Sequence, residues 1–533
     1  MNSAIKGEKN SIKIKQYSPN QVACIVIAML SVMISFLLIP YHELWRDEPQ
    51  AWLIARDTPL KDLFLVLKHE GHPALWFLIL MPFAKIGLPA ICLNYISWFF
   101  TTIAVFVIAF KSPFHIVTKF FTLLSPMFVY WYPVVSRSYA PVSCLLSLLA
   151  VLYPKRRQKP ILYGILLFCL INLHLMSAGI VGGILLIDVW EILKEYREKK
   201  QIIWKPYIGT LVGIFGCILM VLQLLGSPDT GNWNISIRNN PDLIQYRMYS
   251  MFFMFFPIFG HKDILAALGV ILFAFHLLLA FYLFVCKQRG ALIIYLFEIL
   301  FIWYILLFVM PSGQKPYLLF STFLFVLWIL PRPIAKPDFP KKITLYHRTI
   351  HIILTLLFVI MCITGYPNTL AYDIREPYSM GKATAEYLNQ TCTDQDILIF
   401  LDNAYEPSVT AYLNRNLRVW DIAEGDYQSF PLWSPERSEI NYLLAYLYDT
   451  VVENNTALGI DGYTGSGMND FLQSYINQCF PVGTSIYFVL TSEMAELYDL
   501  ENDNTHYDLR ARFNGECKYS SESFSVYHFV SGL

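Results

Sequence analysis

The sequence predicts a polytopic α-helical membrane protein of about eleven spans, with outer-loop amphipathic helices and a C-terminal soluble α/β domain. Composition is the first ground. Of 533 residues 56% are hydrophobic and 15% charged, and the mean hydropathy is +0.45, whereas a soluble chain carries about 25% charge. The second ground is how charge is divided. Lys+Arg and Asp+Glu number 40 each, yet residues 1–365 hold 32 basic and 16 acidic residues while 366–533 hold 8 and 24. The expected domains are therefore a membrane unit, 1–365, and an extracytoplasmic unit, 366–533. Disorder, collagen and a small disulfide scaffold are excluded. The basic residues form short clusters between apolar runs, which the positive-inside rule explains, so no nucleic-acid partner is expected.

The basic N-terminus leads into an apolar run from Val22 to Pro40 that lacks a small-residue cleavage site and reads as a retained first span with a cytoplasmic N-terminus. Further runs lie near 91–110, 114–132, 139–153, 161–178, 179–193, 207–226, 264–286, 291–310, 317–330 and 349–365. The stretch His72–Leu88 sets the parity. If it enters and leaves on the outer side, the basic loops at 111–119, 154–159, 194–205, 287–289 and 332–348 all become cytoplasmic; a full crossing would send them outside. Between the first span and this embedded helix, Thr58–Pro59 opens an amphipathic helix to Lys68, with Leu60, Leu63, Phe64 and Leu67 on one face. An ordinary surface helix would read the same way.

Beyond Tyr366 the pattern turns soluble: helices at 379–390, near 405–413 and near 437–450, and strands at 396–402, 417–420, 485–490 and 525–530. These make an α/β domain large enough for its own core. GYTGSGMND (462–470) follows no clear strand and reads as a loop rather than a phosphate cradle. Seven of ten cysteines lie in or beside apolar runs; Cys392, Cys479 and Cys517 allow at most one disulfide, and no Cys/His spacing suits a metal.

Asp47 and Glu48, in YHELWRDEPQ (41–50), stand just outside the first span, and HEGHP (69–73) returns to the same surface to open the embedded helix. A solvated loop pair is the plainest account of two such carboxylates, but the second polar cluster faces them across a groove at lipid level. The order of a first span, an outer Asp-Glu pair, an amphipathic helix and a His-Pro-led helix (HPALWFLIL) resembles the GT-C class of polyprenyl-phosphate-sugar-dependent glycosyltransferases. That class includes the protein O-mannosyltransferases and the aminoarabinose lipid A transferases. SPMFVYWYPVVSRSYAPVS (125–143), the PKRR that closes the next span and His174 extend the resemblance, which covers residues 20–190 well. Two positions depart from it: Ala74 replaces the second proline of His-Pro-Pro, and Arg137 lacks the acidic neighbour many relatives carry.

The resemblance implies a GT-C-like fold and an inverting transfer of a monosaccharide from a polyprenyl-phosphate donor to a lipid, glycan or protein acceptor on the outer face. It implies Asp47 as the base and Glu48 as a group that orients the acceptor or tunes Asp47. Arg137 and Lys315 are expected at the donor phosphate, and His72, Glu70, His174 and Tyr139 around the substrates. The chemistry agrees. A glycosidase must protonate an alkoxide leaving group and needs two carboxylates, whereas a lipid phosphate departs as a stable anion, so one base with cations suffices. A divalent metal is possible but not expected. Structural roles stay open for several residues: a snorkelling Arg137, a capping His72, a core His174, and an Arg46 that only neutralises the acidic pair. Two other classes also remain. A transporter or flippase would show solute uptake and use Asp188 or Glu298 within the spans; a membrane-anchored binding protein would bind its ligand through 366–533.

Overall fold

The computed structural model describes residues 18–68, 70–225, 262–305, 317–330, 341–401, 405–422, 424–432, 475–497, 507–515 and 522–532. Lys315 and the expected helix near 437–450 lie outside the described residues.

Helix α1, Pro19–Leu38, starts at a capping box in which the Ser18 side chain accepts from the Gln21 N–H and Gln21 returns the bond, with Pro19 set for the first turn. It presents Val26, Met29, Met33 and Leu37 to the exterior while Ile27, Ala28 and Leu38 are buried. Exposed large apolar side chains recur on α5 (Cys92–Lys111), α9 (Ala178–Lys199) and α10 (Ile208–Leu224). Such a continuous apolar exterior belongs against lipid. Among the described residues five helical stretches are long and apolar enough to cross a membrane: Pro19–Tyr41, Cys92–Lys111, Leu175–Lys199, Lys205–Leu224 and Arg348–Pro367. The chain is an integral membrane protein. Shorter apolar helices fill in between them: α7 (Tyr139–Leu152), α8 (Pro160–Leu173), α12 (Arg289–Tyr304) and α13 (Tyr317–Ile329), with α11 (Lys262–Val285) and α14 (Lys341–Leu370) completing the bundle.

Three short segments between α1 and α5 shape the site. They are α2 (Asp47–Asp57), α3 (Leu63–Val66) and α4 (Leu75–Lys85). The amphipathic helix expected over 58–68 is reduced to the single turn of α3, with Leu63 and Leu67 buried and Leu60, Phe64 and Leu65 exposed. Helix α4 has 11 residues, about 16 Å of rise against the ~30 Å of a hydrocarbon core. At its far end Lys85 Nζ donates to the Thr58 carbonyl at 2.7 Å, in the same segment from which the helix entered. Helix α4 is thus too short to cross and returns at its far end to the segment that follows α2.

The run expected as one span at 114–132 is broken. Helix α6 (Ile116–Leu123) stops before Ser125–Pro126, and a π-type turn, Met127–Trp131, follows. Proline disfavours helical backbone at the residue before it and supplies no N–H, so the ladder must reset there. Helices α8 and α10 meet through glycines: a methyl group on Gly209 would sit 2.3 Å from the Pro160 carbonyl oxygen and 3.1 Å from the Gly164 nitrogen. At the polybasic end Asp188 is bonded by Arg157 Nη2 (2.7 Å), Arg156 Nε (3.3 Å), and the Tyr163 and Thr210 hydroxyls (2.8 Å each).

Among the described residues the C-terminal domain holds a six-stranded mixed sheet. Its strands are β1 (Ile397–Phe400), β2 (Arg418–Asp421), β3 (Asp426–Gln428), β4 (Ser485–Thr491), β5 (Asp508–Phe513) and β6 (Phe524–Val530), in the order β3-β2-β1-β4-β6-β5. Strand β1 pairs in parallel with both β2 and β4. Ile397 and Ile399 join a core with Phe480 and Phe488, whereas Leu398 and Phe400 join one with Leu388 and Val409 on the other face. A strand covered on both faces needs no polar alternation, which is why ILIF is apolar throughout. Helix α15 (Gly381–Thr391) and the one-turn α16 (Glu406–Thr410) cover that second face, and α17 (Ser492–Leu497) follows β4.

Candidate active site

Helix α2 places the site. Asp47 and Glu48 occupy its first turn, where the helix dipole favours carboxylates. Successive residues on a helix project about 100° apart, so the two side chains part company at once. Asp47 is about a third exposed and its Oδ2 pairs with Arg137 Nη1 at 2.9 Å, while Arg46 Nε lies 3.5 Å from Oδ1. Burial pushes the Asp47 carboxyl up, but Arg137, then Arg46 and His72, outweigh it and hold the group below its ordinary value.

Arg137 lies over the Tyr139 ring at 5.4 Å. Tyr139 is 5.2 Å from the His174 ring, and His174 is 5.5 Å from His72. His174 interrupts α8–α9 in extended conformation, and its Nδ1 accepts the Met176 N–H at 3.0 Å, so a neutral ring carries its proton on Nε2. The start of α4 is fixed by the Ala74 N–H, which donates to Gln223 Oε1 at 2.9 Å, with Gln223 in turn bonded to Asn172. Asp47, Arg137, Tyr139, His174 and His72 thus form one arc at the end of the bundle opposite the Asp188 cluster. Glu70 is held by Gln50, whose Nε2 donates to Glu70 Oε1 and to the Pro431 carbonyl, both at 2.8 Å.

Glu48 does not face the groove. It is fully buried, and both oxygens are bonded: Oε1 accepts the Ser136 N–H at 2.5 Å, and Oε2 accepts from Trp45 N–H (3.3 Å) and His42 Nε2 (2.9 Å). His42 Nδ1 reaches Asp373 Oδ2 at 2.9 Å, across 331 residues of sequence. Burial lowers the His42 imidazole, but Asp373 and then Glu48 raise it well above its usual value. Both ring nitrogens donate, and a buried imidazolium bridges two carboxylates. Sequence reasoning missed His42 and Asp373; the available signal was an acid just past the last apolar run, on the side expected for Asp47.

The C-terminal domain sits directly on this loop. The Arg46 N–H donates to Ser408 Oγ (2.7 Å), Ser408 Oγ to Glu522 Oε2 (2.9 Å), and the Leu44 N–H to the Tyr412 hydroxyl (3.1 Å). Burial, partly offset by hydrogen bonds from Ser379 and Ser408 and by Arg46, pushes Glu522 up to about 8. Among the described residues no group of three or more His, Cys, Asp or Glu side chains is arranged to hold a metal.

This architecture, a helical bundle with a short apolar helix beside a carboxylate-bearing loop helix and a C-terminal domain over them, is a GT-C-type fold. It is similar to ArnT from Cupriavidus metallidurans, whose crystal structure bound to undecaprenyl phosphate superimposes with a TM-score of 0.51 over 95% of this chain and 97% of that one at 10% identity. The apo structure of ArnT gives the same TM-score and identity over 96% and 98%. The arabinofuranosyltransferase AftD from mycobacteria, known from cryo-EM, aligns over 96% of this chain and 40% of its own at 13% identity, with a TM-score of 0.38. No protein-family model and no curated protein sequence matches the chain.

Proposed function

We propose that the chain is an inverting GT-C glycosyltransferase that moves a monosaccharide from a polyprenyl-phosphate donor to an acceptor hydroxyl on the outer face of the membrane. The observation that carries this reading is the Asp47–Arg137 pair at 2.9 Å, set in the arc of Tyr139, His174 and His72 within an ArnT-like fold.

In this reading the acceptor hydroxyl attacks the anomeric carbon as its proton passes to Asp47. The bond from that carbon to the phosphate oxygen breaks, and the electron pair leaves with the polyprenyl phosphate. Attack opposite the leaving group inverts the centre. Asp47 is ionised at neutral pH because its carboxyl is held low, so it starts as the base form. While paired with Arg137 it is a weak base. A donor phosphate competes for the same guanidinium, which can clamp it bidentately, and the carboxylate regains basicity only when the donor is in place. Lys315 is proposed to add a second cation. The donor phosphate is met by side-chain cations, so the reaction is expected to persist in EDTA. Glu48 acts as a positioning residue from beneath.

Asp47→Asn is expected to abolish transfer from polyprenyl-phosphate sugars in proteoliposomes while the protein stays folded; unchanged transfer overturns the assignment. Arg137→Ala is expected to raise the apparent KM for the lipid donor by about tenfold or more, the scale of one lost charge-assisted contact, and an unchanged KM removes Arg137 from the phosphate.

A further inference from the structure

A cavity of about 190 Å³ opens between the C-terminal end of α2 and the C-terminal domain. Its lining includes Arg56 and Asp57 from α2, Asn414 and Arg415 from the turn before β2, and Leu417 and Val419 beneath them. It exceeds the ~150 Å³ that admits a benzene ring, so a single sugar ring fits. Leu417 and Val419 are buried and offer an apolar floor, while the rim is polar. Such a mixed wall suits a sugar, whose ring C–H groups face apolar side chains as its hydroxyls take hydrogen bonds.

Charge narrows the ligand further. Arg56 commits its Nε and Nη2 to Asp57, at 2.7–3.0 Å, and Arg415 stands exposed at the rim. Two guanidinium groups against one carboxylate leave one positive charge, in a domain that is otherwise acidic. Position completes the argument. The nine-residue step along α2 from Asp47 to Arg56, at about 1.5 Å per residue, is about 14 Å. A monosaccharide cannot span this distance, whereas a glycan can.

We propose that this cleft is an acceptor subsite for an anionic sugar ring, one carrying a carboxylate or a phosphate, that lies along the acceptor from the hydroxyl being glycosylated. The acceptor role rests on the transfer reading above; the binding does not.

The full-length protein in detergent, titrated with methyl glucuronide, glucose 6-phosphate and the neutral methyl glucoside, tests it. Saturation-transfer NMR and calorimetry are the readouts. Both anionic probes are expected to bind more tightly than the glucoside, and Arg415→Glu, a change at an exposed position, to weaken them by about tenfold with the glucoside unaffected. The Asp47→Asn protein is expected to bind the probes as the wild type does, so a failure of the transfer reading leaves this measurement standing. Equal affinity for charged and neutral probes overturns the proposal, as does unchanged binding by Arg415→Glu.

Discussion

His42 is the residue on which the site depends without any contact to the groove. Its ring joins Glu48, which holds the Ser136 backbone next to Arg137, to Asp373 at the entrance to the C-terminal domain. Removing the cation leaves two buried carboxylates facing each other, and losing one partner from a buried ion pair costs about 3–5 kcal/mol. His42→Ala is therefore expected to lower the thermal unfolding temperature and the transfer rate together. The pH dependence has a definite sign. A histidine raised in the folded state stabilises fully below its unfolded value of about 6.5, and that contribution fades as pH climbs through the higher folded value. Wild-type stability should thus decline on the alkaline side, and His42→Gln should flatten that decline in thermal scans across pH. Asp47 behaves oppositely. Its lowered carboxyl contributes above about 3.8 and loses that contribution only in stronger acid.

At the scale of elements, the close meeting of α8 and α10 is the sharpest test of the packing. Small residues let helix backbones approach in lipid, where van der Waals contact replaces the hydrophobic drive. A methyl group at Gly209 would enter the Pro160 carbonyl, so Gly209→Ala is expected to cost about 1–3 kcal/mol, the usual penalty of overpacking. Thermal unfolding in detergent, compared with Gly290→Ala, where a methyl group's nearest neighbour is 3.9 Å away, separates that clash from a general effect of losing glycine. Elements were also where the sequence was most readable. Apolar runs located the long helices, and the placement of the basic loops is the ground for expecting α4 to be embedded, with which its length of 11 residues agrees. The break at Ser125–Pro126 was written in the proline, but the run 114–132 is apolar on both sides of it and hides the interruption. The resemblance implies Glu48 as a group that orients the acceptor or tunes Asp47, but the turn of about 100° between helix neighbours sends its side chain into the interior. The bond from His42 to Asp373 has no local signal at all, since 331 residues lie between the partners. The β3 and β5 edges of the sheet were missed for a related reason: short edge strands with exposed side chains carry little apolar pattern.

Across the whole molecule, the division of charge gives the orientation its test. The basic turn 154–159 lies at the end of the bundle that holds Asp188, and the acidic domain lies at the other, over Asp47. By the positive-inside rule the first is expected in the cytoplasm. Cys479 is exposed in the C-terminal domain, so a membrane-impermeant maleimide is expected to label it on intact cells. A cysteine placed at the exposed Lys199 in a Cys479→Ser background is expected to react only after the membrane is opened. The reverse pattern would invert the protein and put the site on the cytoplasmic side.

The partners of His42 also set an order of events during biosynthesis. The ribosome makes the loop that bears Asp47 within the first tenth of the chain, but Asp373 emerges only after more than two thirds has been translated. Until then the imidazole lacks one of its two carboxylate partners, and the loop that bears Asp47 lacks its tie to the C-terminal domain. A nascent or truncated polypeptide therefore carries Asp47, His72, Arg137, Tyr139 and His174 without the bond that ties their loop to the C-terminal third.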